Sequence, residues 1–166
     1  MGFLDIFNPQ PKTPIVTSIL PNIAKQEIMN GRLPILNTTK VFLKNGETCH
    51  YIDKAIYEKK IVGKRYVRRN TGYSMPGLFK GTRIHMGGGY TDPVENIKYE
   101  SFKGIFYITN KRIIFVGEQN SFDKKINDII ALTPYANCVE IQFSNNAYRL
   151  FVPDGNIVNI VMQLVR

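Results

Sequence analysis

The segment from Gly104 to Arg166 constrains the fold most, because its apolar residues repeat every second position and then switch once to helical spacing. Gly104-Ile105-Phe106-Tyr107-Ile108-Thr109 and Arg112-Ile113-Ile114-Phe115-Val116-Gly117 are β-branched and aromatic, and they flank Asn110-Lys111. Two such runs across a turn that holds an Asn, a residue that tolerates left-handed backbone, predict a tight hairpin. Ser121 to Ile126 reads as a further strand, and Asp128 to Leu132 carries the chain on to a turn at Thr133-Pro134. Val139 to Phe143 alternates cleanly and is expected to pair with Tyr148 to Val152 across Ser144-Asn145-Asn146. After Pro153, Asp154 is a natural N-cap, and Ile157, Ile160, Val161 and Leu164 form one stripe at helical spacing. Many short strands and one terminal helix predict a mainly β fold. It would be a small antiparallel barrel or sandwich closed by a C-terminal helix.

Upstream the signals are shorter. Phe3, Leu4 and Phe7 precede Pro9, Pro11 and Pro14, which reads as an N-terminal arm over the first thirteen residues. Such an arm would dock on a membrane or a partner, pack on its own domain, or fray. Ile15, Val16, Ile19 and Leu20 are compatible with an early turn. Pro21-Asn22 starts a short helix whose C-terminal glycine is Gly31, before Leu33-Pro34. Residues 1–36 are therefore expected to be an arm and helical appendage, and residues 37–166 the β domain.

From Lys40 the period becomes two. Val41 to Lys44 runs into Asn45-Gly46, a hairpin signal, and Glu47 to Tyr57 reads as a strand with Cys49, Tyr51 and Asp53 on one face. Further strands are expected at Lys64–Tyr73 and Lys80–Met86, a stop at Gly87-Gly88-Gly89, and a loop over Thr91–Lys98 around Asp92-Pro93. Residues 37–103 either join the barrel of 104–166 or form a separate sheet.

The run from Gly104 through Thr109-Asn110-Lys111-Arg112 to Phe115 resembles the hairpin of the GRAM and bacterial PH-like domains. The Ile126–Ile130 strand, the Val139–Phe143 and Arg149–Val152 strands and the closing helix extend the likeness. Leu33-Pro34-Ile35-Leu36 before Leu43-Lys44-Asn45-Gly46-Glu47 is similar in outline to uncharacterised bacterial and phage proteins that carry such a domain. The resemblance implies a binding or scaffolding module, often near membranes, and transfers no catalytic residues. In PH domains basic residues sit on the first strands and their joining loop, where Lys59, Lys60, Lys64 and Arg65 fall here.

Charge divides the chain. Its net charge is +9, and residues 61–90 carry six Lys/Arg and no Asp or Glu. The candidate anion- or lipid-binding residues are Lys59, Lys60, Lys64, Arg65, Arg68, Arg69, Lys80 and Arg83. A field of that sign attracts phosphates or acidic protein surfaces; alternatively, it blunts an exposed hairpin against edge pairing. Tyr66 and Tyr73 interleave with Arg65, Arg68 and Arg69, as in single-strand nucleic-acid binders, or serve as amphipathic strand residues.

Reactive groups are few. Cys49 and His50 are adjacent and point to opposite faces of a strand; Cys49 could meet His85 only if the fold joins them. Gly72-Tyr73-Ser74-Met75-Pro76 puts Pro where a nucleophile elbow needs Gly. Gly87-Gly88-Gly89 lacks the phosphate-loop Lys-Ser/Thr, and no CxxC, HxxxH or acidic calcium loop occurs. Two cysteines make no disulfide framework. The N-terminus lacks the features of a signal peptide, Ile6 breaks the myristoylation pattern, and no apolar run is long enough for a membrane helix.

The expectation is a non-catalytic module without cofactor, metal or small-molecule substrate, cytoplasmic or peripheral to the inner face of the membrane. It would act first through a protein partner or self-association. The alternatives are anionic membrane lipid bound by the basic strands, and nucleic acid bound by the same face.

Overall fold

A computed structural model describes residues 13–77 and 79–166, the side chains at positions 70 and 71 excepted. It divides into two units. Unit one holds the described residues up to Lys59 together with Ser101–Arg166, and unit two is Lys60–Glu100. The arm anchors Phe3, Leu4 and Phe7 lie outside the described residues.

The elements follow in the order α1 (Asn22–Met29), β1 (Cys49–Pro76), β2 (Arg83–Thr109), β3 (Arg112–Gly117), β4 (Ser121–Lys125), a 3₁₀ turn (Ile126–Asp128), β5 (Ala131–Pro134), β6 (Cys138–Gln142), β7 (Ala147–Phe151) and α2 (Gly155–Val165). The strands form one antiparallel sheet in the order β4-β3-β2-β1-β7-β6-β5. The protein is mainly β with a C-terminal helix, as its periodicity predicts. The sheet is open, with β4 and β5 as its ends. Within unit one it curls so that side chains of distant strands meet. Phe122 of β4 lies against Tyr148 of β7 with ring centroids 4.4 Å apart, and Tyr57 of β1 touches both.

The Asn110-Lys111 hairpin forms as expected, with Phe106 opposite Phe115 and Ile108 opposite Ile113. All four are fully buried. β6 and β7 pair as their alternation predicts, Val139 opposite Leu150. Asp154 caps α2 by accepting hydrogen bonds from the backbone N–H of Asn156 and Ile157. The buried arc of α2 is Ile157, Val158, Val161 and Met162, while Leu164 is exposed. It is rotated from the expected stripe because the helix packs against α1 as well as β5 and β6.

α1 ends in a Schellman motif: Arg32 N–H donates to Glu27 O and Gly31 N–H to Ile28 O, with Gly31 at φ 75°. Leu20, Ala24 and Ile28 join the main core, so this helix is built into unit one. The residues before it make no helical turn. Buried Asp53 holds them extended, accepting from Ser18 Oγ and Ile19 N–H at 2.6 Å each.

Three expectations are corrected. Val41–Lys44 forms no strand. Val41 instead packs on the small cluster of Cys49, Tyr107 and Ile114. The backbone groups a strand would use are taken by side chains: Arg112 donates to Phe42 O, and Glu47 accepts from Lys44 N–H. Secondly, Asp128 belongs to the 3₁₀ turn rather than a strand, because Ile129 N–H turns back to Ile126 O. Thirdly, the separate strands expected between 47 and 86 are two continuous ones, and Gly87–Gly89 and Asp92-Pro93 lie inside β2. In a two-stranded ribbon each strand has a free edge, so Pro93 need not cost a ladder bond.

Candidate binding surface

Residues 60–76 of β1 and 83–100 of β2 make up the two arms of unit two. Between them Gly77 N–H donates to Thr82 O at 2.8 Å, Thr82 N–H donates to Phe79 O, and Gly81 takes φ 92°. A left-handed residue is what such a tight reversal requires. Gly72 faces Gly87 across the ribbon: a Cβ on Gly72 would lie 3.9 Å from the Gly87 Cα. Glycines on both arms leave a notch of about 410 Å³ lined by Arg68, Tyr73, Ser74, His85 and Met86 along with Gly72 and Gly87–Gly89.

Among its described side chains unit two buries none. Lys59 falls at the end of unit one, and Lys60, Lys64, Arg65, Arg68, Arg69, Lys80 and Arg83 fall in unit two. All eight are exposed. Among the described residues only Arg69 of these has a carboxylate in ion-pair range, Asp92 at 3.6 Å. Alternation along a strand puts Lys60, Lys64 and Arg68 on one face of β1 and Arg65 and Arg69 on the other. The cations are thus brought onto one ribbon but divided between its faces. Unit two carries eight Lys/Arg against three Asp/Glu.

Sequence reading missed the apolar half of this surface. Val62, Tyr66, Val67, Tyr73, Met75, Phe79, Ile84, Met86, Tyr90, Val94, Ile97 and Tyr99 are all exposed, Phe79 at the turn by 78%. In a sheet with one buried face, half of them would have been core. The signal lay in the opposing runs themselves: both stay extended and both alternate imperfectly, so neither presents a clean inner face.

The chemistry-bearing side chains of unit one have structural partners. Cys49 Sγ is buried against Tyr51 O and Ile108 O, and burial pushes its thiol up to about 11. Burial does the same to Cys138, also to about 11. Neither offers a thiolate at neutral pH. His50 Nδ1 lies 2.7 Å from Pro34 O. Glu47, its side chain fully buried, accepts from Thr109 Oγ1 at 2.7 Å and Arg112 Nε at 2.8 Å. Burial alone would raise its carboxyl. The hydrogen bonds from Arg112, Lys44 N–H and Thr109, with the Arg112 charge, outweigh burial and hold it at about 2. Among the described residues no three His, Cys, Asp or Glu side chains cluster as metal ligands would, and no helix is long and apolar enough to cross a membrane. In comparison with known protein families, curated proteins and solved structures, none matches this chain.

Proposed function

We propose that the protein is a non-catalytic interaction module. Unit one serves as its scaffold, and the unit-two ribbon is gripped on both faces by a protein partner with an acidic, partly apolar groove. One observation carries the reading: large apolar side chains and unpaired cations occur together along the ribbon, with none of its described side chains buried. A two-stranded hairpin alone is marginal in water, and exposed apolar surface of this extent marks an interaction site. Tyr, Met and Arg are the residue types enriched at protein interfaces, where Arg and Tyr act as anchors. Division of the cations between two faces suits a groove that surrounds the ribbon better than a flat membrane. The acid-poor charge disfavours another copy's ribbon as the occupant, since like charges would face each other.

The test compares the purified protein with a variant carrying Tyr66→Ala, Tyr73→Ala and Arg68→Glu. Amide exchange across 60–76 and 83–100 is expected to be fast in the protein alone and slowed by a partner recovered with the wild type only. Ribbon-dependent sedimentation with anionic vesicles, or a salt-steep shift of DNA or RNA, would overturn the reading in favour of lipid or nucleic acid.

A further inference from the structure

Unit one has a second cationic site, and it is built by the hairpin motif itself. Three of the four residues Thr109-Asn110-Lys111-Arg112 have their polar groups committed inside the fold. Thr109 Oγ1 donates to Glu47, and the Asn110 side chain accepts from Thr48 N–H and donates to Gly46 O. Arg112 is neutralised by Glu47 and Asp123. Lys111 is the exception. Its ammonium is tethered by one hydrogen bond to Asn45 O at 2.5 Å, and among the described residues its charge has no counter-ion and two of its donors have no partner.

Three segments meet around Lys111: the Lys44–Glu47 turn, the end of β4, and the 3₁₀ turn. The last is drawn in by the hydrogen bond from Ile126 N–H to Lys111 O. Together they line a cavity of about 620 Å³ whose lining includes Lys44, Lys111, Lys124 and Lys125. The other charges there are the Arg112–Asp123 pair, which cancels, and Asp128. Among the described residues Lys44, Lys124 and Lys125 have no carboxylate within ion-pair distance. With Asp123 paired to Arg112, the lining carries four lysines against one further carboxylate, a balance that favours an anion. Two lining residues are held in place, Asn110 by Thr48 and Gly46 and Arg112 by Glu47, which lowers the entropy lost when an anion binds.

We infer that this hollow is a binding site for a small polyanion bearing two or more phosphate charges. Its volume is in the range of small-molecule sites, and lysine ammonium groups pair with phosphate oxygens as point charges. The site shares no residue with the ribbon and stands whether or not the ribbon binds a protein.

The probe is inorganic pyrophosphate titrated into the full chain at low salt, followed by calorimetry and by amide shifts at 110–112 and 124–127. Lys111→Gln and the double variant Lys124→Ala, Lys125→Ala should each weaken binding by about tenfold or more, by analogy with other charge-assisted contacts. Lys111→Arg should retain binding, and the ribbon variant should bind as the wild type does. Vesicles containing phosphatidic acid form the second arm. Sedimentation abolished by the same lysine variants, without pyrophosphate binding, would give the site to a lipid phosphate. Absence of binding in both arms, or binding unchanged in the lysine variants, would overturn the inference. These lysines are not in the core, and matched thermal midpoints will show that loss of binding is not loss of fold.

Discussion

Replacing Glu47 by Gln tests the internal logic of unit one most directly. The substitution keeps the shape and removes the charge from a side chain with no exposure, whose partner Arg112 is 11% exposed. Arg112 would keep Asp123 and Phe42 O but lose its buried counter-ion. Breaking a buried pair from one side costs about 3–5 kcal/mol, so the variant should be less stable by that amount at neutral pH. The pH dependence gives an independent magnitude. The carboxyl titrates near 4.5 when unfolded and near 2 when folded, a gap worth about 3 kcal/mol. Because the folded value is depressed, this stability is present in full above pH 4.5 and drains away as the pH falls towards 2. The glutamine variant has nothing to lose at this position. Urea unfolding of both proteins, followed by far-ultraviolet circular dichroism from pH 7 down to pH 2.5, should show the two stabilities converging. Carboxylates that do not share Arg112 titrate in both proteins and cancel in the difference. A difference that stays constant over that range would refute the assignment of the Glu47 charge as the stabilising group.

Four further outcomes follow from the same geometry. Gly155→Ala should destabilise by about 1–3 kcal/mol in thermal melts, since a Cβ there would run into Tyr135 O and Cys138 O. Asp154→Ala should cost about 1 kcal/mol through loss of the α2 cap, and Asp154→Asn or Ser should recover most of it. Cys49 should resist alkylation in the native protein at pH 8 and react once unfolded, since burial keeps its thiol protonated; rapid native labelling would contradict that. Replacing residues 60–100 by a tight Asn-Gly turn should leave unit one folded with its near-ultraviolet tyrosine signal, because no described core residue lies in that stretch.

The sequence alone was enough where a local rule and the tertiary environment agree. The Gly104–Gly117 hairpin, the β6–β7 pair, the Asp154 cap and the Gly31 stop were legible because each depends on residues close in the chain. The cationic candidates were legible for the same reason, since charge is written residue by residue. Tertiary structure decided the rest. Val41–Lys44 has strand composition, but its carbonyl and amide groups are claimed by Arg112 and Glu47, partners up to 70 residues away. The glycine run and Pro93 look like stops, yet β2 runs through them because the opposing arm extends equally far. Whether Tyr66, Met75 or Ile97 would be core or surface depends on a second layer, and period-two spacing cannot announce that layer. The hollow around Lys111 is likewise invisible in sequence: Lys44 lies far upstream of Lys124 and Lys125, and folding alone brings the three into one lining.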